Sequence, residues 1–554
     1  QSTWGGTDQN NPLLHSSVLE STLSELSSEK VEEFLSSKPV GFKWWPRLSA
    51  WELRRLWLLS FSSIIVLLFN YMLSFTTQIF AGHLGSVQLA GASIANVGIQ
   101  GLANGIMLGM ASALQTVCGQ AYGARKYAAM GIICQRAILL QVGAAVILSF
   151  VYWFAGPILE LLGETEEIAH YGQIFARGII PQLFAFAFAC PMQRFLQAQN
   201  IVNPLAIMSV SVFFLHVFLS WLVVYVLQFG LLGAALTLSL SWWLLVVVNV
   251  LYIVLSPRCK ETWTGLSVRA CTGIWPYFKI TVASAVMLWL ATSFVIDSGD
   301  SSVLSAVWRY GTLKGWFSSQ GISQIPQFLS IRCRFGNSPH PRCRREKLGF
   351  IDSSECSMNY LNWDMMIMLG LGTGASIRVA NELGAGNPNV TKFAVKIVNA
   401  NSLIISVFLS VTLLILRVPL SELFTSDDDV IAAVSNLTPL LATSILLNGL
   451  QPILSGVAIG GGWQATVAYV NLAMYYVVGL PIGCVLGFKT ALGIAGIWWG
   501  MVIGVGCQTL TLVILTIRTN WDIQVVRAAD TLKLSNIEEH LDLFNCLDAS
   551  PLPI

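Results

Sequence analysis

The sequence predicts an all-α polytopic membrane protein with twelve transmembrane helices in two six-helix halves. Three observations predict it: too little charge for a water-covered surface, a series of bilayer-length apolar stretches, and an internal repeat that halves the series. Of 554 residues, 55% are hydrophobic and 11% charged, with a mean hydropathy of +0.66. A soluble domain carries about 25% charged residues, so this chain needs lipid to cover it. Lys+Arg 31 against Asp+Glu 29 gives a net charge of +2, a balance that offers nucleic acid no attracting field. The 11 cysteines include no CxxC pair, and His15, His83, His170, His216, His340 and His540 show no ligand spacing. The cysteines read as small packing residues, and no metal site is expected.

Residues 1–48 are Ser- and Glu-rich without an apolar run of signal-peptide length, and read as a disordered cytosolic tail. A helical span needs about 20 apolar residues. Such stretches lie at 56–80, 88–112, 130–155, 170–192, 203–227, 231–255, 395–420, 432–460, 465–487 and 492–516, with partial ones at 271–296 and 358–378. This divides the chain into a first lobe (49–256), a loop and the start of helix 7 (257–288), an aberrant segment (289–357), the rest of the second lobe (358–518) and a polar cytosolic tail (519–554). Basic residues cluster in alternate loops: Arg54 and Arg55, Arg125 and Lys126, Arg258 and Lys260, Lys392 and Lys396. The intervening loops carry Glu160, Glu164, Glu166 and Glu167, and later Asp427, Asp428 and Asp429. Basic loops face the cytosol, so both termini are expected there.

The repeat has an offset of 261 residues. It relates Met107-Leu108-Gly109 to Met368-Leu369-Gly370, Gly123-Ala124 to Gly384-Ala385, and Pro191 to Pro452. Each match holds the same place in a six-span order. An even number of spans per copy keeps both copies in one orientation, so the halves are related by an axis along the membrane normal, with a cavity between them.

Several strings resemble a known family: A-G-H-L-G-S-V-Q-L-A-G-A-S-I (81–94), Q-T-V-C-G-Q-A-Y-G-A (115–124), C-P-M-Q-R-F-L-Q-A-Q-N-I-V-N-P (190–204), N-E-L-G-A-G-N-P (381–388) and L-N-G-L-Q-P-I-L-S-G-V-A (447–458). The chain resembles the plant multidrug and toxic compound extrusion (MATE, or DETOXIFICATION) transporters over about 45–288 and 358–520. Within them it is similar to the transparent-testa type that loads flavonoids into vacuoles. The resemblance implies a V-shaped, two-lobed fold that exchanges protons for organic solutes.

Polar residues inside the spans are the candidates for that work. Asn70 either bridges two helices or faces a cavity. Gln100 and Gln115 either bind a polyphenol or cap neighbouring backbone groups. Asn448 and Gln451 flank a helix break at Pro452, where freed carbonyls create polar surface; many plant relatives resemble this stretch but carry an aspartate near the position of Asn448. Asp364, in the string Tyr360-Leu361-Asn362-Trp363-Asp364, is the strongest candidate, because an ionisable residue in a membrane is costly and usually functional. Its alternative role is a structural pair. Tyr360 and Asn362 join it as candidates for the cavity. Trp242, Trp243, Trp498 and Trp499 either stack on substrate rings or form interfacial belts.

Residues 289–357 break the pattern. They hold Arg309, Lys314, Arg332, Arg334, Arg342, Arg344, Arg345 and Lys347, on the side that the charge rule keeps free of basic residues. The family's helix 7 continues after Met287-Leu288 as C-L-E-I-W-Y, with its glutamate as the proton-binding acid; here Trp289-Leu290-Ala291-Thr292 stands instead. The codons around Arg309-Tyr310 can be chosen so that a shifted frame reads E-I-W-Y, and Phe317 to Arg334 in the same frame can give the family's helix 7–8 sequence. Two unspliced introns around an out-of-frame exon explain this; a genuine lumenal insertion is the other reading. The chain as written is expected to transport poorly or not at all.

The resemblance thus implies a proton-coupled antiporter of the vacuolar membrane, or alternatively the plasma membrane, for flavonoid glycosides or other organic solutes. Its partners are a small organic substrate, protons and the bilayer. No cofactor beyond the proton gradient, no nucleic acid and a monomeric transport unit are expected. The competing readings are a lipid-linked or polysaccharide flippase, set apart by proton dependence, and a non-transporting splice product. An embedded transferase needs paired aspartates or a His/Asp pair within a span, and the sequence has neither. Sequencing the transcript across codons 285–360 checks the splicing reading. The intervening stretches are expected to be absent from the main message, and their abundance there would overturn it.

Overall fold

The computed structural model describes residues 27–37, 44–161, 164–271, 364–422, 428–490 and 493–534, with 274, 278 and 281. In chain order the helices are α1 (Ser28–Ser37), α2 (Trp45–Leu84), α3 (Ser86–Gly123), α4 (Tyr127–Trp153), α5 (Ala155–Leu161), α6 (Glu166–Gly178), α7 (Ile180–Ala198), α8 (Asn203–Val226) and α9 (Gly230–Leu255). After the undescribed stretch come α10 (364–384), α11 (Pro388–Ile415), α12 (Arg417–Glu422), α13 (Asp428–Asn448), α14 (Gln451–Gly461), α15 (464–489), α16 (Gly493–Arg518) and α17 (Trp521–Leu534). Proline sets many of the starts. It occupies the first turn of α2, α7, α8, α11 and α14, where its missing N–H costs nothing. Gly85, at φ 149°, ends α2, and Gly462, at φ 80°, ends α14, conformations that glycine adopts without a Cβ penalty.

Among the described residues, seven helices are long and apolar enough to cross a bilayer, or up to nine if each of two bent pairs counts as one span. One pair is α6 with α7, bent by 45°, and the other is α16 with α17, bent by 90°. α10 and α15 stand where the eighth and eleventh spans are expected. The seventh span apart from 271, 274, 278 and 281, the segment 289–357, Tyr360 and Asn362 lie outside the described residues. α2 has 40 residues, about 60 Å of helix against a hydrocarbon layer of about 30 Å. Its first turns lie at the end that carries the basic loops, called here the basic end, where Leu48, Trp51 and Glu52 are buried.

One expectation about the tails is corrected, and the other tail gains a helix. Residues 28–37 of the supposedly disordered tail form α1, with Val31 buried, because its apolar side finds cover. Residues 521–534 form α17, whose Trp521 and Ala528 are buried with Leu371, Val395 and Val457. Amphipathic segments beside a membrane protein's end fold when an apolar face is available to them.

The first half has one large core, with a smaller cluster of Ala90, Ile94, Leu159, Ile168 and Ala169 beside it. Val66, Leu73, Met107, Leu114, Phe175, Phe195, Leu238 and Leu245 all belong to the large core. His216 on α8 sits inside, 2.8 Å from Ser241 of α9 and 3.1 Å from Thr77 of α2. It is a satisfied core histidine that joins three helices. In the second half Met368, Leu371, Val379, Ile453 and Val457 pack with Leu56 from α2. The first helix thus contributes to both cores.

The repeat reappears as a contact. Near the basic end α3 crosses α10, and a Cβ on Gly119 would lie 2.6 Å from the Ala380 Cβ, its own partner at offset 261. A Cβ on Gly123 would collide with the Asn381 carbonyl, and one on Gly384 with the Gln120 carbonyl. These two collisions exchange under the same offset, so the halves meet about a two-fold axis, as an isologous interface does. Gln120 donates to the Gly460 carbonyl at the end of α14 (3.3 Å). Turned to donate, the Asn381 amide lies 3.3 Å from the Ala198 carbonyl at the end of α7. Backbone packed on backbone leaves no room for a methyl group. Gly384→Ala is expected to destabilise the protein by about 1–3 kcal/mol. Gly143→Ala, where a Cβ meets nothing within 4 Å, is expected to be neutral or stabilising by up to about 1 kcal/mol. Thermal unfolding in detergent compares the two.

Candidate functional site

Beside the glycine crossing lies a buried ionic cluster. Arg378 of α10 donates through Nε to Glu52 Oε1 (2.8 Å) and through Nη2 to Glu52 Oε2 (3.0 Å), joining α10 to α2. Its Nη1 donates to Glu382 one turn on. Glu382 also accepts from Asn387 Nδ2 (2.7 Å) and from Ser28 Oγ of α1 (2.7 Å). Glu52 is 0%, Glu382 4% and Arg378 6% exposed. The Arg378 guanidinium stands 5.4 Å from the Trp51 ring, and that of Arg55 4.4 Å from it. Charges so far from water persist only when paired and hydrogen-bonded. The cluster and the glycine crossing together form a seam between the halves.

Next to the seam is a cavity of about 540 Å³, with Tyr122, Asn200, Asn203, Arg258, Asn381 and Glu382 in its wall. Two residues around it hold left-handed backbone, Arg125 at φ 60° and Asn200 at φ 61°. Such conformations are uncommon outside glycine and asparagine.

The residues singled out in the sequence lie elsewhere, and most share one depth. Gly374 of α10 meets Ser60 of α2, and Gly370 meets Ile64. Extending that antiparallel register by six residues puts Asn70 level with Asp364. Gly456 of α14 meets Gly372, and Gly460 meets Ser376; extending this parallel register puts Asn448 level with Asp364 and Gln451 within one turn. Ala103 of α3 is the repeat partner of Asp364, and Gln100 lies within a turn of it. Five candidates on four helical spans thus come to one level, about 24 Å along α10 from the Gly119–Ala380 contact. Gln115 does not join them; it lies near the seam, one residue before Thr116, whose hydroxyl donates to Ile459 O (2.5 Å).

Among the described residues, that level is short of hydrogen-bond partners. Asp364 is 6% exposed, and neither carboxylate oxygen has a partner among the described residues. The same holds for Asn70 Oδ1, Gln100 Oε1 and Gln451 Oε1, although Gln451 Nε2 donates to Ser455 (3.3 Å). Gln100 closes a π-helical turn, Ala95–Gln100, a form that concentrates at functional sites. The helix is interrupted by a turn at Gly449-Leu450, with Pro452 in the first turn of α14. Pro191, its repeat partner, stands inside an unbroken α7. Of the tryptophans, Trp242 is buried in the first core and Trp243 is exposed, donating to Pro181 O (3.0 Å). Trp499 is exposed, and the Trp498 side chain lies outside the described residues. Among the described residues no group of His, Cys, Asp or Glu is arranged to hold a metal ion.

Sequence reasoning missed Glu52, Arg378 and Glu382. The signal was present: an arginine and an acid four residues apart within an otherwise apolar helix, Arg378-Val379-Ala380-Asn381-Glu382, is a pattern that a lipid-covered face does not tolerate.

The MatE family model matches residues 62–222 and 353–485. The two matched stretches end 263 residues apart (222 to 485) but begin 291 apart (62 to 353). The second copy is thus recognised only from the last few residues of the segment that breaks the pattern, 289–357. Protein DETOXIFICATION 41 of Arabidopsis thaliana is 59% identical over 534 residues, covering 96% of this chain and 98% of the relative. Protein DETOXIFICATION 37 of the same organism is 41% identical over 481 residues, covering 87% and 88%. The crystal structure of the eukaryotic MATE transporter AtDTX14 matches with a TM-score of 0.75 at 30% identity, covering 87% of this chain and 99% of that one. A multidrug resistance MATE family transporter of the MOP superfamily, solved in an outward-facing conformation, shares the fold at a TM-score of 0.66 and 16% identity, covering 86% and 96%.

The ionic cluster makes its own prediction. Glu52→Gln leaves Arg378 buried with one charged partner fewer, and is expected to cost about 3–5 kcal/mol. Glu29→Gln, which removes a pair exposed by 75% and 70%, is expected to cost at most about 1 kcal/mol. Unfolding midpoints of the purified variants separate the two.

Proposed function

The chain belongs to the MatE family of transporters, and we propose that it is a proton-coupled antiporter moving flavonoid glycosides or other organic solutes across the vacuolar membrane. One observation carries this reading: Asp364, a buried acid without a partner among the described residues, shares its depth with amides from three other spans. A carboxyl group there can hold a proton, and the amides can hydrogen-bond a hydroxyl-rich solute. Exchange requires the proton and the solute to favour opposite states of the two lobes. The basic end faces the cytosol on this reading, and an acidic lumen drives protons out as solute enters. The motif strings similar to the transparent-testa type, and the relatives named for detoxification, support an organic solute.

A second reading concerns this chain as written. The late start of the second family match favours a product whose helix 7 lacks the family's glutamate and which transports slowly.

Both readings meet in one assay. Vesicles with an acidic interior receive either the chain as given or one with the uninterrupted helix 7–8 reading frame. The repaired chain is expected to accumulate a flavonoid glycoside, with uptake abolished by a protonophore. Asp364→Asn in that chain is expected to lower the initial rate to below about a tenth at equal protein abundance. Uptake that ignores the pH gradient would overturn the antiport reading. Uptake by the given chain at the repaired chain's rate would overturn the second.

A further inference from the structure

The helix α1 docks where the two halves meet, and it touches both. Its Val31 is 1% exposed, packed in one apolar cluster with Leu48 and Trp51 of α2 and with Val390, Phe393 and Ile397 of α11. The Phe34 ring meets Trp44 edge-on at 5.6 Å, and Trp45 meets Phe393 at 5.5 Å. Glu32 caps α11 from outside: Oε2 accepts from Val390 N (2.8 Å), and Oε1 from Asn389 N (3.2 Å) and Asn389 Nδ2 (2.8 Å). A carboxylate on the free N–H groups of a helix start is favoured by both hydrogen bonding and the helix dipole. On the first-half side, Glu29 pairs with Arg125 (2.8 Å) and Arg55 donates to Ser28 Oγ (3.1 Å). Ser28 in turn donates to Glu382 of α10, inside the ionic cluster.

We propose that α1 is a latch, a segment of the chain's own tail that holds the basic end closed. If α2 and Arg125 move away from α10 and α11, α1 cannot keep both sets of contacts. Val31 loses one wall of its pocket, or Glu29 and Ser28 lose their partners. A segment that binds one arrangement of the lobes better than the other shifts the balance toward that arrangement by its difference in binding. The latch goes beyond substrate and coupling, and holds whatever solute the protein carries.

Hydrogen–deuterium exchange on the full-length protein tests it, with no transport measurement. Val31→Asp places a charge in the apolar cluster and is expected to strip protection from α1. Exchange at 120–127 and 381–387, the two sides of the seam, is expected to rise about tenfold. The core of α4, at 130–148, is expected to exchange as in the wild type, which separates latch loss from misfolding. Glu33→Gln, on the exposed side of α1, is expected to change nothing. A variant with α1 unprotected and the seam exchanging at the wild-type rate would show a passenger helix and sink the proposal. If Val31→Asp does not fold, Glu32→Gln is read the same way. Seam and α1 exchange rising together upholds the latch; a seam that stays slow, or an α1 that stays protected without its cap, overturns it.

Discussion

The arginine that α10 carries into the bundle constrains much of the rest. Arg378 has almost no access to water, and a guanidinium there is stable only if its donors are matched by carboxylates. Glu52 comes from the far end of α2 and Glu382 from the next turn of α10, so the cluster fixes the register of the first helix against the eighth span. That register places Ser60 on Gly374 and Ile64 on Gly370, and carries on to the level of Asn70 and Asp364.

The seam combines two kinds of contact that respond differently to water. Glycine packed on backbone gains dispersion energy only while the surfaces touch, and loses it within a fraction of an ångström. A buried ion pair is different, since its carboxylates and guanidinium regain hydration when exposed. Opening the basic end therefore costs less than the closed contacts alone suggest. Such a contact is firm when dry and yields when wetted, which suits the proposed function, in which the two lobes part and rejoin.

Much of this was legible in the sequence, for identifiable reasons. Lipid leaves a helix few polar options, so apolar length located the spans on both sides of the seventh. The repeat was visible because Gly123 and Gly384 have no substitute where backbone meets backbone. Asp364 and Asn448 were legible as polar residues in apolar surroundings, but their common depth was not, since it depends on how α10 slides against α2 and α14. The first tail was misread, and the helix of the other missed, because α1 and α17 owe their helices to surfaces supplied by α2, α11 and α10. Short amphipathic segments have no such partner in a sequence read locally. Gln115 was grouped with Gln100 by residue type, although 15 residues of helix, about 22 Å, separate them.

The symmetry of the scaffold sharpens what its departures mean. Under the offset that maps Gly123 onto Gly384, Asp364 corresponds to Ala103, Asn448 to Ala187 and Gln451 to Cys190. The break before Pro452 corresponds to unbroken helix around Pro191. Polar groups and broken backbone thus stand in the second half where the first has small apolar residues in regular helix. A symmetric pair of lobes loaded symmetrically would change both at once when a proton bound. Here the group that can take the proton, two of the four amides at its depth and the interrupted helix belong to the second lobe, while Asn70 and Gln100 come from the first. On the proposed function, protonation repacks the second lobe against an N-terminal half whose core is large and whose buried histidine is already satisfied. The rigid half then serves as the frame against which the other moves, and the shared first helix carries that movement to the seam.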